Sequence, residues 1–137
     1  MKKVILFIST VLMMAALLTG CGSDKTEEKA VKEALEVVEY WNSVNLNLFS
    51  YSTPGGLEQG ENGNKVFSVR MKPDVANAEN PTLMEWTLIS CVDTAIKGAY
   101  PDLEKCFEDV KDIDVYIYVM DLDNNVVYTY KNGVCLE

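Results

Sequence analysis

The chain has no histidine among its 137 residues. That absence removes the commonest general base at neutral pH, the serine and cysteine triads that depend on imidazole, and histidine-based zinc sites. Cations are scarce as well, with 12 lysines and arginines against 21 aspartates and glutamates and a formal net charge of −9. Lys2 and Lys3 stand at the extreme N-terminus, so the remainder is more negative still, a surface that repels nucleic acid and anionic headgroups. No internal repeat is present. Beyond Gly22 there is no hydrophobic run approaching the roughly 20 residues of a membrane span.

The four cysteines fit no metal-binding spacing. Leaving Cys21 aside, Cys91, Cys106 and Cys135 allow at most one intramolecular disulfide in an oxidising, exported setting. Cys91 falls on the apolar face of a predicted helix and reads as a small buried hydrophobe, which leaves Cys106 with Cys135 as the candidate pair.

What the chain does have is a distinctive beginning. Met1-Lys2-Lys3 is a short positive start, an apolar run extends from Val4 to Leu18 interrupted only by Ser9 and Thr10, and small residues precede Cys21. The run is short for a plain transmembrane anchor; an ordinary cleaved signal with an incidental cysteine is the other competing reading. Leu18-Thr19-Gly20-Cys21 resembles the lipobox of bacterial lipoprotein signals, with leucine three residues before the cysteine and glycine directly before it. The resemblance covers residues 1–21 alone. It implies that Cys21 carries diacylglycerol and becomes the mature N-terminus, with palmitate-like acyl chains in the bilayer. Each buried methylene contributes about 0.8 kcal/mol, and two or three chains suffice for stable anchoring. A five-residue tether, Gly22 to Thr26, reaches at most about 18 Å at roughly 3.5 Å per residue, which keeps the domain close to the membrane.

Residues 22–137 are enough for one domain and too few for two. Asp24 or Thr26 caps a predicted helix to about Asn42, with Val31, Ala34, Leu35, Val38 and Trp41 at helical spacing. Val44, Leu46 and Leu48 alternate with asparagines and lead through Phe49 and Tyr51, a strand pattern stopped by Thr53-Pro54-Gly55-Gly56. After a glycine-rich loop, Lys65 to Lys72 gives a second strand with Phe67, Val69 and Met71 on one face. Asn80-Pro81 opens a long helix marked by Met84, Leu88, Cys91, Val92, Ala95 and Ala99, with Trp86 beside that face. Tyr100-Pro101-Asp102 breaks it, and Leu103, Cys106, Phe107 and Val110 suggest a short further helix. Ile113, Val115, Ile117 and Val119 alternate cleanly with polar and aromatic residues, the strongest strand signal in the chain. Asp121 to Asn125 turns it into a partner strand, Val126 to Lys131, and Asn132-Gly133 ends that strand with a tight-turn dipeptide. The expected fold is α+β: an N-terminal helix, an antiparallel sheet of about four strands in two hairpins, and a long helix between the hairpins packed on the sheet. The domain plan is a signal peptide over 1–20, a lipidated cysteine and short tether over 21–26, and a single α+β globular domain over 27–137.

Candidate sites are sparse. Asp121-Leu122-Asp123-Asn124-Asn125 offers alternating oxygen ligands, but an EF-hand needs glycine sixth and glutamate twelfth, where this chain has Val126 and Asn132. A hairpin turn explains the segment. Gly55, Gly56, Gly60 and Gly63 lack the lysine and hydroxyl of a phosphate loop, and read as a hairpin loop able to touch a partner. Asp102, Glu104, Glu108, Asp109, Asp112 and Asp114 form a solvated acidic segment or a patch that steers a basic protein. Tyr116 with Tyr118, and Tyr128 with Tyr130, share faces of successive strands, so pairing is expected to gather four tyrosines opposite Ile113, Val115 and Ile117, as a covered or pair-stabilising cluster or as a binding face. The sequence calls for no cofactor, no metal and no catalytic residue. The expected function is that of a small acidic lipoprotein at the extracytoplasmic face of a bacterial cell membrane, a non-enzymatic protein-binding or accessory module, in one form an inhibitor or immunity protein, with a partner of basic character. The alternatives are an envelope enzyme using carboxylate, tyrosine or cysteine chemistry, and a small-ligand or cation-binding lipoprotein.

Overall fold

The structure, a computed structural model, describes residues 26–136. Asp24, Leu18, Thr19, Gly20 and Cys21, the expected lipidation residue, lie outside the described residues. Helix α1 spans Glu27–Ser43, β1 Phe49–Ser52, β2 Glu58–Gln59 and β3 Lys65–Pro73; α2 Pro81–Ser90 and α3 Val92–Phe107 follow, then β4 Ile113–Met120, β5 Val126–Lys131 and β6 Val134–Cys135. The sheet is mixed, in the order β1, β3, β4, β5, β6, with β2 also pairing on β3. The α+β class holds; the antiparallel expectation does not, because β3 and β4 at the centre run parallel, with Phe67 opposite Val115, Val69 opposite Ile117 and Met71 opposite Val119. The reason lies in the connection. Two helices carry the chain from the end of β3 back to the level at which β3 began, so β4 enters in the same direction, as a parallel pair requires.

Thr26 starts α1 by accepting a 3.1 Å hydrogen bond from the Lys29 N–H, while Glu27 and Glu28 place negative charge on the first turn where the helix dipole favours it. The buried stripe is Ala30, Ala34, Val38 and Trp41. At the other end the expected strand over Val44 to Leu48 is replaced by a 3₁₀ turn, Leu46–Leu48, because Asn45 (φ 50°) and Leu48 (φ 65°) adopt left-handed backbone that an extended strand excludes. The strand proper begins at Phe49.

The long-helix expectation also changes. The break falls at Cys91, with φ −107° and ψ 9°, and not at Tyr100-Pro101-Asp102, which lies inside α3. An interior proline costs a helix about 3 kcal/mol. Continuing the helix buries Leu103, Cys106 and Phe107, each large apolar side chain contributing roughly 1.5–3 kcal/mol. Cys91 is accordingly exposed and not the buried hydrophobe its spacing suggested.

All three helices supply side chains to one core. Phe67, Val69, Met71, Val115, Ile117 and Val119 project from the two central strands into a cluster that holds Ala34, Trp41, Leu88, Ile96, Ala99 and Leu103 of the helices. Trp41 packs against Tyr51 with ring centroids 5.0 Å apart, and Phe67 against Phe107 at 5.3 Å. Lys65 Nζ meets Glu27 Oε1 at 2.9 Å, so α1 starts beside the beginning of β3. Both side chains are nearly half exposed, and the pair fixes position more than it stabilises.

The edge at β1 is sealed by a side chain. Asn42 donates from Nδ2 to the Tyr51 carbonyl at 2.7 Å and accepts from the Tyr51 N–H at 2.8 Å, standing in for the peptide of a further strand. Replacing Asn42 with Ala is expected to lower stability by about 2 kcal/mol, two part-buried hydrogen bonds at roughly 1 kcal/mol each. Asn42→Asp retains only the acceptor and should fall between. Thermal unfolding of the three proteins checks the order.

Candidate functional site

Because the strands alternate and the helices take one side, the other side of the sheet carries Val66, Ser68, Arg70 and Lys72 of β3, Asp114, Tyr116, Tyr118 and Met120 of β4, and Thr129 and Lys131 of β5. The register places Ser68 beside Tyr116 and Arg70 beside Tyr118, while Tyr116 lies opposite Lys131 and Tyr118 opposite Thr129. Tyr116 and Tyr118 stack with centroids 5.7 Å apart and planes 20° from parallel, and Lys131 Nζ sits 6.0 Å over the Tyr116 ring, a cation–π distance. Ser68 is buried between its neighbours at 3% exposure. The result is an aromatic shelf, one tyrosine stacked on the next, flanked by a lysine on one strand and an arginine on another.

This arrangement corrects the four-tyrosine expectation. Tyr130 pairs with Ile117 and Tyr128 with Val119, so both belong to the helix side. One strand position separates the two outcomes, since slipping the register by a single residue exchanges faces. Tyr130 is core, its hydroxyl donating to Asp93 Oδ1 at 3.0 Å; burial, aided by that carboxylate, pushes its pKa up. Tyr128 is 37% exposed. Only Tyr116 and Tyr118 share the open side.

Beside the shelf, a hollow of about 130 Å³ is lined by Ser50, Tyr51, Ser52, Arg70, Lys72, Met120 and Asn124. The two small serines of β1 create the space next to the longer side chains of β3. Lys72 Nζ donates to Asn124 Oδ1 at 2.8 Å, which steadies the ammonium at its rim. At the opposite end of the face Asp114 accepts from Asn64 at 3.1 Å and from Asn132 at 3.0 Å. The Asn132 bond, with help from Asn64, holds its carboxyl below the usual carboxylate range. Arg70, Lys72 and Lys131 form no ion pair with any described residue, although the chain has 21 acidic side chains.

The remaining candidates resolve as follows. The Asp121–Asn125 segment is a hairpin turn in which Asp121 Oδ1 accepts from the N–H groups of Asp123 at 2.9 Å and Asn125 at 2.8 Å. Within the glycine-rich loop a two-residue strand, Glu58–Gln59, pairs with Val66 and Lys65. Asp102, Glu104, Glu108, Asp109 and Asp112 are exposed, leaving Asp114 alone of that run on the sheet. The Cys106–Cys135 disulfide is not formed: Cys135 on β6 is a free thiol. Cys106, on α3, donates to the Asp102 carbonyl at 3.4 Å and borders the groove between α1 and α3. Among the described residues no cluster of three or more histidine, cysteine, aspartate or glutamate side chains has metal-binding geometry, and no helix is long and apolar enough to cross a membrane.

The sequence reading missed Arg70, Lys72 and Lys131 as site residues. The alternation that put Phe67, Val69 and Met71 on one face already placed Arg70 and Lys72 on the other, but only the parallel pairing brings them alongside Tyr118. Comparison with protein-family models, with curated proteins and with solved structures finds no match to this chain.

Acid stability follows from the carboxylates. Asp93 is held low chiefly by the Lys97 hydrogen bond and then by Tyr130, Asp114 by Asn132 and Asp121 by the Asn125 backbone. A depressed folded-state pKa contributes stability that is present above the unfolded value, roughly 3.9, and is lost as pH falls through the folded value. Unfolding measured from pH 6 down to pH 2 should show stability declining below about pH 4, and Asp114→Asn should make that decline shallower.

Proposed function

We propose that this chain is a lipid-anchored, non-enzymatic protein-binding module at the extracytoplasmic face of a bacterial cell membrane, and that it holds its partner on the open side of the sheet. One observation carries the proposal: the stacked tyrosines, cations and hydroxyls of β3, β4 and β5 make a continuous surface on which the described helices do not pack. Tyrosine and arginine are the residues that interfaces favour, the first for its large rigid ring with a polar tip and the second for its planar set of donors. The lipobox resemblance supports the location.

The sheet edges support a face rather than an edge as the contact. Asn42 closes β1, β6 is two residues long, and β5 is bulged where Val119 pairs with Tyr128 but Met120 with Val126. Short, capped and bulged edges discourage strand addition. α1 begins beside the start of β3, where Lys65 meets Glu27, so a short tether would keep that end of the sheet near the bilayer and the open face within reach of a neighbour anchored in the same membrane.

The preference for a basic partner, drawn from net charge, belongs to the helical surface, where the exposed acidic side chains of α1 and α3 gather. The sheet face bears the opposite sign. An inhibitor or immunity protein is one concrete form of this function, with the sheet covering an envelope-attacking enzyme.

The proposal is tested in cells expressing the full chain. Palmitate labelling and membrane fractionation are expected for the native protein, and Cys21→Ser should lose the label and accumulate as precursor. Photocrosslinking from position 118 should then yield one dominant protein adduct, absent when the probe is moved to the helix position Lys105. Membrane association and labelling unchanged in Cys21→Ser would overturn the anchor, and no adduct at position 118 would overturn the binding face.

A further inference from the structure

The open sheet face has a polarity of its own, and it is the reverse of the protein's. In a chain of formal charge −9, Arg70, Lys72 and Lys131 border the tyrosine shelf, and none of them is within ion-pair distance of a described carboxylate; Lys131 acts on Asp114 only at longer range. A cation left unneutralised in a strongly acidic protein is available to an anion from elsewhere, because electrostatic complementarity at close range is local even where the net field is unfavourable. Glu58 and Asp114 lie far from Arg70 and Lys72 but at the Lys131 end of the face, where both oxygens of Asp114 are held by Asn64 and Asn132, so the positive character is strongest at Arg70 and Lys72.

The spacing narrows the chemistry. Arg70 and Lys131 are separated by two strand intervals of about 4.8 Å and one same-face step of about 6.7 Å, on the order of 12 Å between backbones. An extended polypeptide at about 3.3 Å per residue covers that span in three or four residues. The line between them crosses Tyr118 and then Tyr116, in that order, by the register of β3, β4 and β5. At the Arg70 end, the hollow of about 130 Å³ has the volume of some four water molecules at roughly 30 Å³ each, space enough for the head of one acidic side chain. Its polar lining residues are Arg70, whose guanidinium can match a carboxylate with two parallel donors, Lys72, Ser50 and Ser52, with the Lys72 ammonium also held by Asn124.

Resting on the protein-binding reading above, we infer that the open face recognises an extended acidic segment of the partner. One carboxylate occupies the hollow at Arg70 and Lys72, and a second, three or four residues along, meets Lys131. The residues between cross the stacked Tyr116 and Tyr118 pair, an aromatic contact suited to proline or aromatic side chains. A nucleic acid is the poorer fit, since three cations in a protein of this charge cannot neutralise a phosphate backbone.

The test uses the full chain in detergent micelles and two labelled peptides, GEPPEG and GEPPPEG, followed by fluorescence anisotropy. Saturable binding of at least one is expected, weakening as salt rises. Arg70→Ala and Lys131→Ala should each lower affinity about tenfold, and Tyr116→Ala with Tyr118→Ala more, with circular dichroism confirming that each variant is folded. The matching peptide GKPPKG should not bind. Absence of saturable binding by both glutamate peptides, or binding unchanged by Arg70→Ala, would overturn the inference; tighter binding of polygalacturonate than of either peptide would overturn it in favour of an anionic glycan. These failures leave the crosslinking result at position 118 standing, so the partner's chemistry and the existence of a partner are decided separately.

Discussion

The parallel pairing of β3 with β4 is the constraint from which the rest of the structure follows. Seven residue pairs, Lys65 with Ile113 through Met71 with Val119, join the two longest strands and put their alternate side chains into a common plane. Phe67, Val69, Met71, Val115, Ile117 and Val119 then form a single apolar surface in the middle of the sheet. Such a surface is stable only when covered. The connection that makes the pair parallel is also the one that supplies the cover, because α2 and α3 lie between the strands in sequence. α1 completes the layer beside α3, and its alanines, Ala30 and Ala34, are fully buried there.

Covering one side leaves the other to different physics. The open face carries half-buried tyrosines, an exposed arginine and half-buried lysines, residue types that combine apolar bodies with polar tips, with Ser68 and Met120 buried among them. Cross-strand contacts hold it together, with Tyr116 stacked on Tyr118 and Lys131 over the ring. The asparagines do much of the ordering around it. Asn42 finishes the β1 edge, Asn124 steadies Lys72, and Asn64 and Asn132 fix Asp114. A sheet face built on paired strands and braced in this way is held in one geometry by the fold itself, which would reduce the ordering cost of any association there.

Legibility in the sequence followed the range of the interactions. The strand at Ile113–Met120 and the helix start at Asn80-Pro81 were readable because period-two alternation and capping are local. The caps at Thr26 and Asn80 both act as their residue types suggest. The Pro101 break was misplaced because a local penalty was outweighed by burial of the residues beyond it, and that burial exists only once α1 and the sheet are present. Val44 to Leu48 misled for a related reason. Alternating leucines and asparagines mimic a strand, but a tight turn is needed to bring β1 back under α1. The four-tyrosine cluster failed on register, to which a bulge at Val126–Tyr128 and the β4–β5 turn both contribute.

By itself, the sequence determined the composition that disfavours imidazole chemistry and nucleic-acid binding, the α+β class, the identity of the strand faces in β3 and β4, and a lipobox-like beginning. All of these depend on residue type or on neighbours within a few positions. Tertiary structure alone decided that β3 and β4 are parallel partners, that Tyr116 and Tyr118 part company with Tyr128 and Tyr130, and that Arg70, Lys72 and Lys131 surround the first pair. Those outcomes depend on contacts between residues about 50 positions apart, such as Arg70 and Tyr118. Their energy is collected only when the helices have closed over the opposite face, and no local pattern in the chain encodes it.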